Sequence, residues 1–262
     1  MRPAAALAAC LLMGGCATAA ASIPSLLPVR GYLDAPVVAA VSAGFSPTPI
    51  DLSAEQAVFD SVEAGTDRWW LAIAQAELRP PEAAQHFDCV LGTRLAEKPR
   101  PTLTRLMNRL LVDSANVSNA LSRRAPRRRP IAERSDLQPC VRIDETSRNS
   151  PSWPASGAVA GAAYGEMFAA LVPDRTEAVR QRGSDIGLSR ALCRVNWQAD
   201  VTDGLRIGRA VYDSAAATPE FAADLEAARA EVVAARAEGV SNPSCAAERR
   251  ALRQTGSWSE IG

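Results

Sequence analysis

The sequence predicts an all-α protein folded as a compact helical bundle, and three observations carry that reading. Apolar residues recur at helical spacing through several long segments. Capping residues and prolines mark where those segments start, and no stretch alternates as a half-buried strand would. Connections between the long segments are short, which favours antiparallel neighbours. With 262 residues and 47% hydrophobic composition, the chain can bury one substantial core.

The first residues, "MRPAAALAACLLMGGCATAAAS", combine a positive start, an apolar run and small residues. That is the grammar of a bacterial secretory signal, and the run is too short to span a membrane. Residues 1–19 are read as the signal. Within it "LLMGGCAT" resembles a lipobox, which implies lipidation of Cys16; ordinary cleavage after Ala19 is the alternative. Residues 20–50 are rich in Ala, Ser and Pro and are read as an extended linker, leaving 51–262 as the helical domain.

Ordered structure is expected to begin near Leu52, with Ser53 as N-cap and Gln56 three residues on. "TDRWWLAIAQAEL" continues with an apolar face before Pro80 and Pro81 interrupt it, and the next helix starts again with proline in its first turn. "RPTLTRLMNRLLVDSANVSNALSRR" sets Leu103, Leu106, Leu110 and Leu111 at helical spacing, with Arg105 and Arg109 on other faces. From Ala125 to Pro154 five prolines argue for a loop. Helices are then expected over 156–171, 175–195 and 198–216. A last one has Thr218 as N-cap, Pro219 at the first helical position and Gly239 as its stop.

Charge and cysteine content exclude several function classes. Formal net charge is zero, which gives no reason to expect a nucleic-acid partner. Lys98 is the only lysine among 29 basic residues, so almost every cation is a guanidinium suited to bidentate phosphate contacts. The arginine run "RRAPRRRP" is read as a solvated loop. Cys89, Cys140, Cys193 and Cys245 lie beyond the signal, and an even number in an exported chain reads as two disulfides. Three connectivities are open, and the favoured one joins Cys89 to Cys140 and Cys193 to Cys245. No metal site and no cofactor are expected. The cysteines lack close ligand spacing, and His86 is the only histidine, read as a surface or core residue.

Three segments stand in a telling order: "RRAPRRRP" at 123–130, "SWPASGAVAG" at 152–161 and "LSRALCRVNWQAD" at 188–200. They resemble the signature of the bacterial class A non-specific acid phosphatases, members of the type 2 phosphatidic-acid phosphatase superfamily. Further likeness runs through "GYL" at 31–33, "DRWW" at 67–70, "CVLG" at 89–92 and "RGSDIGLSR" at 182–190. The resemblance implies the all-α bundle shared by acid phosphatases and vanadium haloperoxidases, and phosphoryl transfer through a phosphohistidine. In that chemistry one histidine attacks phosphorus, an aspartate orients it, a second histidine protonates the leaving oxygen, and cationic side chains hold the phosphate.

Carried onto this chain, the resemblance assigns Arg129 and Arg190 to phosphate binding, with Ser156 beside them, and Asp200 to the orienting carboxylate. The lysine position falls on Ser122, with Arg123 or Arg124 as candidate replacements. The acid's position falls on Gly157, or on Ala158 with one insertion, and the nucleophile's position falls on Asn196. An amide nitrogen gives its lone pair to its own carbonyl, so Asn196 can hydrogen-bond to Asp200 but cannot form a phosphohistidine.

The expectation is therefore a periplasmic pseudoenzyme, held to the membrane only through its lipid, whose arginines grip a phosphate or phosphorylated small molecule. Two alternatives stand beside it. One is an active phosphatase using Ser156, Cys193 or Asp200 as nucleophile; the other is a structural envelope lipoprotein, with Arg190 and Asp200 kept as an ion pair. The sequence names no protein partner.

Overall fold

The computed structural model describes residues 29–253, so the expected signal and Cys16 lie outside the described residues. Twelve α-helices and no strand occur among those residues: α1 (Ala35–Ala43), α2 (Leu52–Asp60), α3 (Asp67–Ala74), α4 (Asp88–Leu91), α5 (Pro101–Arg124), α6 (Pro130–Glu133), α7 (Glu145–Asn149), α8 (Ser156–Leu171), α9 (Thr176–Leu192), α10 (Gln198–Ala216), α11 (Pro219–Ala237) and α12 (Cys245–Arg253). None is long and apolar enough to cross a membrane. The all-α expectation agrees with this architecture.

At the centre lies α8, packed between α9 and α10 and backed by α5 and α11. Its sequence, "SGAVAGAAYGEMFAAL", is apolar nearly all round, as a helix surrounded by others must be. Small residues let its neighbours come close. A Cβ on Gly183 of α9 would lie 2.4 Å from the Gly161 carbonyl oxygen, and one on Gly208 of α10 would lie 2.3 Å from that of Val159. Larger side chains fill the space toward α5, where Phe168 meets Phe87 with ring centroids 4.3 Å apart.

Local signals explain most helix boundaries. Thr218 Oγ1 accepts from the Phe221 amide at 3.3 Å, Pro219 opens α11, and Gly239 takes φ +64° just beyond it. α2 corrects one expectation: its N-cap is Asp51, whose carboxylate accepts from the Ser53 and Ala54 amides. The Ser53 hydroxyl donates to the same oxygen, so it is unavailable as a cap.

Part of the segment read as an extended linker is helical. Asp34 caps α1 by accepting from the Val37 amide, and Pro36 sits in its first turn. "APVVAAVSA" is almost uniformly apolar and shows no periodicity to announce a helix. The preceding strip is pinned too: Asp113 on α5 accepts from the amides of Tyr32 and Leu33, and Tyr32 donates to Asp224 on α11. The proline-rich loop 125–154 likewise contains α6 and α7, because proline is tolerated in a helix's first turn and Asp144 caps the second.

The disulfides pair differently from the favoured connectivity. Cys89 joins Cys245, with Cα atoms 5.3 Å apart, and Cys140 joins Cys193 at 4.8 Å. α12 folds back over α3 and α4, which brings Cys245 to Cys89. The loop 125–154 wraps across the end of α9 and carries Cys140 to Cys193. Neither return path leaves a mark in the cysteine spacing.

Candidate functional site

The three motif segments converge where α9 ends, α10 begins, α8 begins and the loop 125–154 crosses over them. α9 stops at Leu192, three residues before the expected end, because Arg194 takes the left-handed conformation at φ +61°. Such a backbone costs a non-glycine residue about 1–2 kcal/mol. Here the Arg194 guanidinium offsets it by donating to the carbonyls of Gln138 and Phe59. The reversal returns the amides of Val195 and Asn196 to the Arg190 carbonyl and turns Asn196 inward.

Asn196 is buried, and its Nδ2 donates to the Ser152 carbonyl at 2.7 Å and to the Ser152 hydroxyl at 3.3 Å. It therefore ties the second motif segment to the third, rather than bonding to Asp200. Trp197 Nε1 donates to the Arg128 carbonyl at 2.8 Å, and Trp153 Nε1 to Asp203 at 2.9 Å. Both indoles thus hold the loop as well as fill space.

Asp200 is fully buried and receives Arg127 Nη1 at 2.6 Å on one oxygen. Its other oxygen is buried without a hydrogen-bond partner. Burial pushes its carboxyl up to about 6; Ser152 and Arg127 pull the other way, and the Glu55 carboxylate adds to the rise. Arg190 is not its partner, so the two do not form the ion pair considered from sequence. Glu55, brought by α2, accepts from the amides of Gln198 and Ala199 and so caps α10, whose own N-cap residue Trp197 supplies no side-chain acceptor.

The cationic groups divide by occupation. Arg129 donates to the Val195 carbonyl at 2.8 Å and to the Ser150 hydroxyl. Arg190 is different: among the described residues no hydrogen bond or ion pair engages its guanidinium. Burial, reinforced by the Arg129 charge, lowers it to about 10, so it stays protonated at neutral pH. Its stem lies against Gly157, where a Cβ would stand 2.9 Å from Arg190 Cδ and 3.0 Å from Cγ. Ser156, the first residue of α8, is exposed beside it. Two guanidiniums at the amino end of a sixteen-residue helix make a setting for an anion.

Other sequence candidates fall elsewhere. The Ser122 hydroxyl donates to the Asn119 carbonyl, Arg124 bonds to the Phe45 carbonyl, and Arg123 is exposed near α1. Arg127, which sequence reasoning left unassigned within the arginine run, is the cation that reaches Asp200. Ser152 and Glu55 were also missed; Glu55 carries no local signal, since only the fold brings α2 to the start of α10. Cys193 is buried in its disulfide. His86 is buried with Nε2 2.7 Å from the Glu77 carbonyl. It lines a cleft of about 240 Å³ between α3 and α12 that includes no residue of the three segments 123–130, 152–161 and 188–200. No group of three or more His, Cys, Asp or Glu suited to a metal occurs among the described residues.

No family model matches the chain. It is 28% identical over 173 residues to an acid phosphatase of Zymomonas mobilis, covering 66% of this chain and 65% of that protein. Against a non-specific acid phosphatase of Salmonella typhimurium the identity is 25% over 169 residues, covering 64% and 68%. A non-specific acid phosphatase of Providencia stuartii is 23% identical over 167 residues, covering 63% and 67%. The chain thus spans about two-thirds of the length of these curated relatives, and over that span it is similar to bacterial acid phosphatases.

Proposed function

We propose that this protein is an exported, lipid-anchored relative of the acid phosphatases, resident in the periplasm, that binds phosphate or a phosphorylated small molecule without hydrolysing it. The observation that carries the reading is the contrast between Arg190 and Asn196. Among the described residues Arg190 is a protonated guanidinium with no carboxylate partner, whereas Asn196 is a buried amide already committed to Ser152. Binding an anion needs donors and charge, both of which are present. Displacement at phosphorus needs a lone-pair donor, and departure of the alcohol needs a proton. Neither Asn196 nor Gly157 supplies these. Asp200 is buried against Arg127 and Cys193 is in a disulfide, which argues against either as a substitute nucleophile.

The test is calorimetric titration of inorganic phosphate into the purified protein beside Arg190→Ala and Arg129→Ala. A hydrogen bond to a charged group contributes about 1.5–3 kcal/mol, so each substitution is expected to weaken binding roughly ten- to a hundredfold. Absence of binding to the unsubstituted protein, or equal binding by all three, contradicts the reading.

A further inference from the structure

We propose that Arg127 is a third anion-binding guanidinium, held in reserve by Asp200 and released to the bound anion when Asp200 takes up a proton. The inference rests on the anion-site reading above and adds its regulation.

The two partners of the Arg127–Asp200 pair are unequally free. The Asp200 side chain is fully buried, whereas that of Arg127 keeps 17% of its surface exposed. When the pair opens, the partly exposed arginine can turn to a new partner; the buried carboxylate cannot. One Asp200 oxygen is buried without a well-formed hydrogen bond, and the Ser152 hydroxyl and Arg127 only partly offset the burial of the carboxylate, so a proton there relieves it. Burial accordingly raises the Asp200 carboxyl into the mildly acidic range.

The backbone around Arg127 stays fixed while its side chain changes partner. Ser152 N donates to the Arg127 carbonyl at 2.7 Å, Trp197 Nε1 clamps the next residue, and the Cys140–Cys193 disulfide ties the same loop to α9. Arg127 and Arg129 are two residues apart on this loop, and Asp200, which Arg127 contacts, also acts electrostatically on Arg129. Among the described residues, the Thr48 carbonyl at 2.7 Å is the only partner of the Arg127 guanidinium apart from Asp200.

The charges around Asp200 come from every side of the site. Arg127 and Arg129 stand on the loop, Glu55 on α2 and Arg190 on α9, while Asp203 on α10 is committed to Thr48 and Trp153. No histidine is among them, the chain's single imidazole being His86 in the α3–α12 cleft. Glu55 is the one other carboxylate acting on Asp200 whose own carboxyl burial raises. Binding an anion and binding a proton at Asp200 therefore favour each other, and the coupling is reciprocal.

The experiment uses sulfate, which stays a dianion where phosphate changes charge. Sulfate is titrated calorimetrically into the full chain at pH 7.5 and pH 5.0 at constant ionic strength, beside Asp200→Asn, Arg127→Gln and Arg190→Ala. Roughly tenfold tighter binding is expected at pH 5.0 for the unsubstituted protein, the scale of one added charge-assisted contact. Asp200→Asn is expected to bind alike at both pH values, and Arg127→Gln to lose the gain in acid. Equal affinity of the unsubstituted protein at both pH values overturns the proposal without any variant having to fold. An acid gain that persists in Asp200→Asn also overturns it and moves the effect to Glu55. Sulfate binding that is flat with pH yet weakened by Arg190→Ala leaves the anion site standing and removes only its switch. No binding at either pH removes both.

Discussion

Arg127 Nη1 lies 2.6 Å from Asp200 Oδ1, so this fully buried carboxylate anchors a loop arginine. Four residues earlier, Asn196 donates to the Ser152 carbonyl. Together they form a joint between the start of α10 and the loop 125–154.

Removing one partner of that joint leaves a buried charge uncompensated. For Arg127→Ala a loss of roughly 2–3 kcal/mol is expected, below the value for a fully buried pair because Arg127 is partly exposed. The sign of its pH dependence follows from the raised Asp200 carboxyl. The folded state binds the proton more readily than the unfolded chain, so Asp200's penalty on stability is absent in acid and grows as pH rises from about 4 through about 6. The variant's deficit is therefore full at pH 7.5 and smaller at pH 4.5. Urea denaturation of both proteins at the two pH values measures it, and an equal deficit at both contradicts the assignment.

Gly157 gives Arg190 its room. A Cβ there falls 2.9 Å from Arg190 Cδ and 3.0 Å from Cγ, in the middle of the stem rather than at a mobile end. Gly157→Ala is expected to weaken phosphate binding several-fold by displacing the guanidinium. Global stability is expected to fall by roughly 1 kcal/mol, since overpacking typically costs about 1–3 kcal/mol and the helix preference of alanine over glycine returns about 0.5–1 kcal/mol. Calorimetry and thermal melting on one sample separate the two effects; unchanged affinity would show that the Arg190 placement is not needed for binding.

The Cys140–Cys193 bridge closes a sequence separation of 53 residues and fixes the loop that bears Arg127 and Arg129. In the chain-entropy account such a bridge contributes roughly 4 kcal/mol, with native strain able to reduce it. A Cys140→Ser/Cys193→Ser double variant is expected to lose that stability and bind phosphate more weakly than an equivalent Cys89→Ser/Cys245→Ser variant. Cys89–Cys245 is expected to stabilise without touching the site, since it joins α4 to α12. Disulfide mapping of non-reduced peptides checks the pairing itself.

Sequence carried the helices whose signals are local. α8 and α10 have the bounds expected from it, and the cap and stop of α11 follow from Thr218, Pro219 and Gly239. α1 escaped because an almost uniformly apolar nine-residue run has no period to detect. α9 ends early because the left-handed turn at Arg194 is sustained by carbonyls of Gln138 and Phe59, 56 and 135 residues away. The site divides in the same manner. Arg129, Arg190, Asn196 and Asp200 lie in the segments that carry the acid phosphatase resemblance, and that resemblance singled them out. Arg127 and Glu55 became visible only when the loop and α2 came to rest on α10, as did the two disulfide pairs.

The most direct test of binding without turnover is hydrolysis of para-nitrophenyl phosphate by the purified protein from pH 4 to pH 8, beside Arg190→Ala prepared identically. The expected result is no release of nitrophenol above that of the Arg190→Ala sample at any pH, in a preparation that binds phosphate. Turnover that disappears with Arg190→Ala would contradict the account, because it would require a nucleophile that neither Asn196 nor Gly157 provides.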